Sequence, residues 1–276
     1  MPDVVKLSSP ATGEFWEIPI LFEDGHLLVL NKPAQLPVSP DRSDPRRPSL
    51  MQLLHRDIER GAPWAAQRRL SYLMNTHRLD SGAGGVILLA KNKPALVALA
   101  AQFATEQPRR VYAALVRGSS GADTFATDAK LAPHPLQMGV FKVDPKDGKR
   151  SSTAFAVRER FDGCLLLECR PRPDRPHQIR AHLKHLRLPL VGDEVYGGRP
   201  LLLSTLKSGY HLKQGRVERP LIDRPALHLE QVAVEHPATG ATLALAAPWA
   251  KDLTVSIKYL RRYAAGAAGA ALKPPG

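Results

Sequence analysis

The sequence predicts an α+β fold in which helices and loops flank a mixed, largely antiparallel central sheet around a catalytic cleft. Two observations predict this class: short apolar segments are mostly joined in pairs by turn residues, and about four helical patterns lie among them without regular alternation. The chain contains neither a GxGxxG nor a GxxxxGK[ST] loop, so the sequence does not indicate a nucleotide cofactor.

The chain opens with residues 1–19, which carry little periodic pattern and are expected to pack as an arm. Two apolar runs around an Asp-Gly pair then predict a β-hairpin over residues 20–32, because Asp-Gly is a strong turn signal between strands. Ser49 can cap a helix over residues 50–58 through its hydroxyl group.

The middle of the chain alternates between strand and helix patterns. The apolar run 86–90 predicts a short strand, and Asn92 begins an Ala-rich helix that reaches Phe103. Residues 111–117 alternate in the manner of a strand, which would place successive side chains on opposite faces.

Residues 152–160 and 164–169 predict a second hairpin around another Asp-Gly pair. Asp174 is expected to cap a helix that extends to about Leu186, with one apolar stripe and one basic face. Residues 188–191 are expected to form a short strand after this helix.

Residues 227–235 and 241–246 predict the last pair of strands. Residues 20–263 are therefore assigned to one catalytic domain, and the tail 264–276, rich in Ala, Gly and Pro, is expected to be disordered. Three segments are expected to be irregular, and the first and last of them to help choose the substrate: 37–48, 128–150 and 200–225.

The composition favours a polyanionic partner. Lys and Arg total 39 against 26 acidic residues, which gives a net charge of +13. Charge alone separates neither RNA from DNA nor either from an anionic membrane, and a basic surface can also serve solubility. No apolar stretch reaches the ~20 residues of a membrane helix, and the N-terminus lacks the features of a secretory signal. Cys164 and Cys169 should face opposite sides of a strand and stay unbonded, so a cytoplasmic location is expected.

Three short motifs carry candidate chemistry. In the first, the carboxylate of Asp80 follows His77 and Arg78 on a glycine-rich loop, where glycines allow a substrate or another backbone to approach closely. In the second, Arg180 lies on the polar face of the helix that follows Asp174, where it could pair with a buried carboxylate or bind phosphate. In the third, Tyr112 lies on a strand and could stack on an unpaired base.

Each motif also has a structural interpretation. The carboxylate could cap a turn, the helix could be an ordinary amphipathic one, and the tyrosine could belong to the core. Three histidines, His177, His182 and His185, lie close in sequence, but no HExxH or cysteine-rich ligand set is present, so no metal site is predicted.

Taken in order, five segments resemble the RluA-like family of pseudouridine synthases, over roughly residues 20–250. They are LFEDGHLLVLNKPAQLPVSP (21–40), HRLDSGAGGVILLAKN (77–92), RRVYAALVRG (109–118), RPHQIRAHLKHLRLPLVGDEVYGG (175–198) and ALHLEQVAVEHPATG (226–240). The resemblance implies the pseudouridine synthase fold and the isomerisation of uridine in structured RNA, either ribosomal or transfer RNA. It implies no cofactor and no metal, and a monomer is the simplest expectation.

The resemblance also implies a role for each matching residue. Asp80 corresponds to the essential aspartate, Arg180 to the basic residue that pairs with it, and Tyr112 to the tyrosine that packs on the target base. Arg78 corresponds to the arginine that fills the space left by a flipped uridine. Four neighbours are assigned to RNA binding and base flipping on the same basis: His77, Arg175, His177 and Gln178.

The sequence departs from the family pattern at three places. Ala83-Gly84-Gly85 stands where Thr-Ser-Gly is usual, Asp174 replaces a glycine, and Arg110 stands where lysine is frequent. The accessory N-terminal RNA-binding domain of many family members is not expected here. Two other functions stay open at this stage: a non-catalytic RNA-binding or remodelling protein on the same fold, and a metal-dependent hydrolase that uses the His and Asp residues.

Overall fold

The computed structural model describes residues 3–40, 44, 46–212 and 215–265, and it has the mixed, mostly antiparallel α+β architecture that the sequence predicts. The strands are β1 (Val4–Ser9), β2 (Glu14–Glu23), β3 (Leu27–Lys32), β4 (Met74–Asn75), β5 (Gly84–Ala90), β6 (Arg109–Arg117), β7 (Thr124–Thr127), β8 (Leu131–Pro133), β9 (Phe141–Val143), β10 (Ser152–Phe161), β11 (Cys164–Arg172), β12 (Leu227–Glu235) and β13 (Thr242–Ala246). The α-helices are α1 (Leu50–Glu59), α2 (Pro63–Gln67), α3 (Lys93–Ala104), α4 (Gln178–His185) and α5 (Lys251–Tyr263).

The chain divides into two compact units. The first comprises Met1–Tyr112 and His228–Ala250, and the second comprises Ala113–Leu227 and Lys251–Gly276. Of the tail 264–276 that was expected to be disordered, the first two residues are ordered: the Ala264 carbonyl oxygen accepts the Asp162 N–H at 2.8 Å, and Ala265 forms a β-bridge with Phe161. Residues 266–276 lie outside the described residues, as do four positions of the loop 37–48. Among the described residues, no helix has both the length and the apolar character needed to cross a membrane.

The first unit is built on strands in the order β1-β2-β3-β5-β12, with β13 beside β12 and β4 beside β5. All pairs are antiparallel except β5 with β12, which run parallel. Every residue of β5 is buried, as expected for a strand between neighbours with both faces covered. This buried strand begins immediately after the loop that carries Asp80, so the loop has a rigid support.

Two helix starts in this unit confirm the sequence prediction. Ser49 forms a capping box with Gln52 at the start of α1, and the Asn92 side chain accepts a hydrogen bond from the backbone of Ala95 at the start of α3. The predicted hairpin at 20–32 is also present, formed by β2 and β3. Its turn is closed by the Asp24 carboxylate, which accepts the backbone N–H groups of His26 and Leu27.

In the second unit the strand order is β6-β11-β10-β7, and β8 and β9 form a separate two-stranded hairpin. The predicted hairpin of β10 and β11 is confirmed, with Phe161 opposite Cys164 at its turn. Both cysteines are buried and unbonded. Residues Tyr112 to Val116 of β6 are all buried, so this strand has no solvated face.

Several sequence expectations are corrected. Asp174 does not cap the helix: α4 begins at Gln178, after His177, whose φ of 56° lies in the left-handed region. The basic face that was predicted for this helix is not solvated at Arg180, because every residue from Gln178 to Leu183 is buried. Residues 188–191 form no strand and contribute one isolated bridge, between Val116 and Leu190.

Other elements were not predicted at all. They are β1 and the first half of β2 within the expected arm, α2 and β4 before the loop that carries Asp80, β7, the pair β8 and β9 within the segment 128–150, and α5. Apart from these two short strands, the segment 128–150 is irregular as expected, and its turn at Asp144 is closed by hydrogen bonds from the backbone N–H groups of Lys146 and Asp147 to the Asp144 carboxylate.

Candidate functional site

The loop that carries Asp80 is fixed by its neighbours on both sides. The Leu79 side chain is buried, and the backbone N–H of Ala83 donates to the Asp80 carbonyl oxygen at 3.0 Å. The Asp80 side chain is half-buried, whereas Arg78 is exposed. The alternation of buried and accessible positions presents the carboxylate while the apolar neighbour anchors the loop.

Two glycines explain how this loop enters β5. A Cβ on Gly85, whose φ is +119°, would lie 2.1 Å from the carbonyl oxygen of Leu229, the residue that it faces in β12. A Cβ on Gly84 would lie 3.1 Å from the Lys32 carbonyl oxygen and 3.2 Å from His228 Nδ1. The Gly-Gly pair therefore admits the close approach of neighbouring backbone, one of the two uses that the sequence suggested.

His77 is built into the support of this loop. Its ring stacks on Phe103 of α3 with centroids 4.9 Å apart, and its Nε2 accepts the backbone N–H of Leu88 at 3.2 Å. Burial of the ring and the nearby positive charge of Arg110 lower the pKa of His77 to about 3, so the ring is neutral at physiological pH. The stacked ring helps to hold the loop in place, and contact of His77 with RNA stays a prediction.

Arg110 and Tyr112 lie in the first four residues of β6, which belong to the first unit. The guanidinium carbon of Arg110 lies 5.4 Å from the centroid of the Phe103 ring, so this ring contacts both His77 and Arg110. Tyr112 is only 4% exposed. Its ring is therefore a well-packed one, and stacking on a base remains a prediction for it.

The start of α4 is organised by Gln178, which is buried. Its side-chain amide donates to the Ser152 carbonyl oxygen at 2.9 Å, and its side-chain oxygen accepts the backbone N–H of Arg175 at 3.2 Å. The Arg175 guanidinium in turn donates to the Arg150 carbonyl oxygen at 3.1 Å. Gln178 thus ties the helix start to β10, and its assignment to RNA binding stays a prediction.

Arg180 is held on two sides by residues that were not among the predicted site residues. Its Nε and one terminal nitrogen donate to the two carboxylate oxygens of Asp193 at 2.7 and 2.8 Å. Its guanidinium carbon lies 4.8 Å from the centroid of the Tyr196 ring. The planar fork is therefore fixed in direction by a bidentate ion pair and by a cation–π contact.

Tyr196 connects this arginine to the hairpin of β8 and β9. Its hydroxyl oxygen accepts the backbone N–H of Phe141 at 2.9 Å and lies 3.1 Å from His177 Nδ1. Its ring packs in a small core with Leu131 and Ala181. His177 thus contacts the Tyr196 hydroxyl group at the helix start, and its assignment to RNA binding stays a prediction.

The structure therefore collects the predicted residues into two groups, one in each unit. His77, Arg78, Asp80 and Tyr112 belong to the first, and the second contains Arg175, His177, Gln178 and Arg180. The predicted pairing of Arg180 with Asp80 stays a prediction. Asp193 and Tyr196 both lie in the segment VGDEVYGG, which is part of the resemblance found in the sequence. Asp193 immediately precedes the short 3₁₀ helix Glu194–Tyr196, and Tyr196 ends it.

Within the described ranges, no group of three or more His, Cys, Asp or Glu residues is arranged to hold a metal ion. His182 instead bridges α4 to its surroundings: Nδ1 lies 2.8 Å from the Thr153 hydroxyl group, and Nε2 lies 2.8 Å from the Ala129 carbonyl oxygen. Burial lowers its pKa, so this ring also favours the neutral form.

Comparison with known proteins gives consistent matches. Residues 26–185 match the family model described as RNA pseudouridylate synthase. The chain is 34% identical to ribosomal large subunit pseudouridine synthase D of Xanthomonas campestris pv. campestris, over 96% of this chain and 76% of that protein. It is also 34% identical to ribosomal large subunit pseudouridine synthase C of Yersinia pestis, over 89% of this chain and 70% of that protein.

Two solved structures share the fold. Human RNA pseudouridylate synthase domain containing 4 superposes with a TM-score of 0.64 at 21% identity, over 88% of this chain and 92% of that one. Human RNA pseudouridylate synthase domain containing 1 gives a TM-score of 0.61 at 20% identity, over 87% of each chain.

Proposed function

This chain belongs to the RluA-like family of RNA pseudouridine synthases, and we propose that it converts specific uridines of large-subunit ribosomal RNA to pseudouridine, with Asp80 as the catalytic carboxylate. The enzyme class, an isomerase, follows from the family. Ribosomal RNA is favoured over transfer RNA because relatives that cover most of this chain are named as synthases of the large ribosomal subunit. Neither the non-catalytic RNA-binding protein nor the metal-dependent hydrolase is favoured by the comparisons.

The observation that carries the assignment of Asp80 is its placement. A half-buried carboxylate follows the buried Leu79 on a loop that leads directly into the fully buried strand β5. The Gly84-Gly85 pair locks the end of that loop against the backbone of β3 and β12. A carboxylate on such a support keeps its direction when a substrate binds, which is what a reacting group requires.

The reaction needs no net addition or loss of atoms. The bond from ribose C1′ to uracil N1 breaks, the ring turns, a bond from C1′ to C5 forms, and the proton on C5 is lost as N1 gains one. The target atoms cannot be reached inside a stacked helix, so the uridine flips out at a cost of a few kcal/mol. Asp80 then acts at the sugar in one of two ways, as a nucleophile or as the carboxylate that stabilises a cationic or glycal-type intermediate.

The other residues support this chemistry in the proposal. The exposed Arg78 is free to move into the space that the uridine leaves, and Tyr112 packs against the flipped base. Arg180, whose guanidinium group is already oriented by Asp193 and Tyr196, is the basic residue that the resemblance pairs with the aspartate.

A cellular experiment tests the substrate. The gene is deleted, pseudouridines are mapped across total RNA, and either the wild type or Asp80→Asn is restored. We expect one or a few sites in large-subunit ribosomal RNA to disappear and to return only with the wild type. Loss of sites confined to transfer RNA would overturn the substrate assignment, and an unchanged map would overturn the activity.

A further inference from the structure

The loop between β8 and β9 presents two large apolar side chains to solvent. Leu136 is 89% exposed and Met138 is 82% exposed, two residues apart in one turn. Single exposed apolar residues are ordinary on protein surfaces, but two adjacent ones at the end of a projecting hairpin form a small apolar tip.

This tip is ordered by hydrogen bonds within its own loop. The His134 ring nitrogen Nδ1 accepts the N–H groups of Leu136 and Gln137 at 3.3 and 3.1 Å. The backbone N–H of His134 donates to the Val140 carbonyl oxygen at 2.7 Å, and the Val140 N–H donates back to Gln137 at 3.1 Å. Because the loop is already ordered, little conformational entropy is lost when a partner binds it.

The base of the hairpin is fixed to the helix that carries Arg180. Val140 and Val143 pack against the core formed by Leu131, Ala181 and Tyr196. The Tyr196 hydroxyl group also accepts the Phe141 N–H, and the ring of the same tyrosine lies under the guanidinium group of Arg180. The base of the hairpin and Arg180 therefore share Tyr196 as a common contact.

The residues around the hairpin base are basic and exposed. Lys130 directly precedes β8, Lys149 and Arg150 are separated from the start of β10 only by Ser151, and Arg172 lies opposite the first residue of β10. Of the nearby acids, Asp144 already accepts two turn N–H groups and an ion pair from Lys142. A small apolar tip on a basic base fits nucleic acid better than a protein interface, whose centre is depleted of charge.

We propose that this hairpin is an RNA-contacting wedge, in which Leu136 and Met138 pack against unstacked bases of the substrate RNA while the basic residues at its base contact phosphates. The inference rests on the proposed function and adds a substrate-binding element to it. Apolar side chains that insert beside unstacked bases, together with cationic contacts to the backbone, are a known mode of nucleic-acid binding.

The first test measures RNA affinity and turnover for Leu136→Ala/Met138→Ala. Both side chains are exposed, so the thermal stability should not change. We expect the dissociation constant for an unmodified large-subunit ribosomal RNA transcript to rise about tenfold, which corresponds to about 1.4 kcal/mol. The slope of log affinity against log salt should stay the same, whereas Arg150→Ala should reduce it by about 0.7 to 0.9.

The matched control is Phe15→Ala/Val97→Ala, which removes two exposed apolar side chains from the first unit and should leave RNA affinity unchanged. Wild-type affinity and turnover in the hairpin variant would overturn the inference and point to a protein partner instead. If the wild type itself produced no pseudouridine, the proposed function would fail, whereas a failure confined to the hairpin variant leaves that function intact.

A second measurement does not depend on affinity. Both native cysteines are buried, so Met138→Cys introduces one accessible thiol to which an iron chelate that generates hydroxyl radicals can be attached. We expect RNA cleavage confined to one short stretch of the transcript, and a different or absent pattern from Val97→Cys. Cleavage from position 138 no greater than the background would contradict the proposed contact.

Discussion

Replacing Asp193 by asparagine tests how Arg180 is positioned. The pair is almost completely buried, with Arg180 7% and Asp193 1% exposed, and both carboxylate oxygens are used at 2.7 and 2.8 Å. Asparagine retains one acceptor but turns an N–H group toward the guanidinium group and removes the carboxylate charge that Asp193 supplies. Removing one partner of a buried pair costs about 3 to 5 kcal/mol, so the variant should be less stable by about this amount.

The effect on catalysis should exceed what instability alone explains. With Tyr196 as its remaining constraint from this cluster, the guanidinium group of Arg180 loses its fixed direction, and misplacement by about 1 Å can lower a rate about 100-fold. We expect kcat to fall by about that factor while KM changes only a few-fold. Turnover is measured by release of tritium from C5 of uridine-labelled transcripts, below the unfolding transition found by urea denaturation.

Asp252→Asn is the matched control. Asp252 makes an equally short bidentate pair with Arg224, at 2.7 Å for both bonds, in the same unit. This variant should also lose stability, by less because the Asp252 side chain is one-third exposed, but it should retain its kcat. Equal kcat values in the Asp193 and Asp252 variants would refute the reasoning that Asp193 acts through Arg180.

Three further predictions follow from packing and protonation. Gly85→Ala should lower the free energy of unfolding by about 3 kcal/mol or more, because its Cβ would overlap the Leu229 backbone, whereas Gly25→Ala, which meets open space, should be neutral in urea denaturation. Tyr196→Phe keeps the ring beneath Arg180 but loses the hydroxyl group that accepts the Phe141 N–H. We expect faster hydrogen exchange at the Phe141 amide and a free energy of unfolding lower by about 1 to 3 kcal/mol, and unchanged exchange would contradict this role. The pKa of His77 is lowered to about 3, so its contribution to stability is complete above pH 6.5 and falls by up to about 1.4 kcal/mol per pH unit below it, since only the unfolded chain gains the proton. His77→Gln should reduce this slope in denaturation curves between pH 4 and 6.5, and an identical slope would argue against it.

Local signals predicted the parts of the fold that depend on few residues. The hairpin turn at Asp24 and the helix caps at Ser49 and Asn92 were found because each depends on a side chain that bonds to backbone two or three residues away. The long helix α5 was missed although Leu253, Ile257 and Leu260 form a buried stripe at helical spacing, because no capping residue drew attention to its start.

The start of α4 shows why other elements could not be predicted. Asp174 is a good capping residue in isolation, but the buried Gln178 side chain binds the backbone of Arg175 and Ser152 and so sets where the helix begins. That choice depends on β10, a strand that lies more than twenty residues earlier. The tertiary contact overrides the local preference, which no periodicity records.

The candidate site divides in the same way. The resemblance singled out Asp80 and Arg180 from short motifs. The partners that hold Arg180, Asp193 and Tyr196, were identified only from their positions in the structure. His77 was expected to bind RNA as one of a basic pair. Its ring is stacked on Phe103, and burial lowers its pKa to about 3, which the motif alone does not reveal; contact with RNA stays a prediction.

The most direct test of the central claim compares purified wild type and Asp80→Asn on the same C5-tritiated large-subunit ribosomal RNA. Tritium leaves the RNA only when C5 becomes bonded to ribose, so its release reports the isomerisation itself. We predict release by the wild type and none by Asp80→Asn, with both proteins binding the RNA equally and unfolding at the same temperature. Substantial release by Asp80→Asn would show that this carboxylate does not carry the reaction.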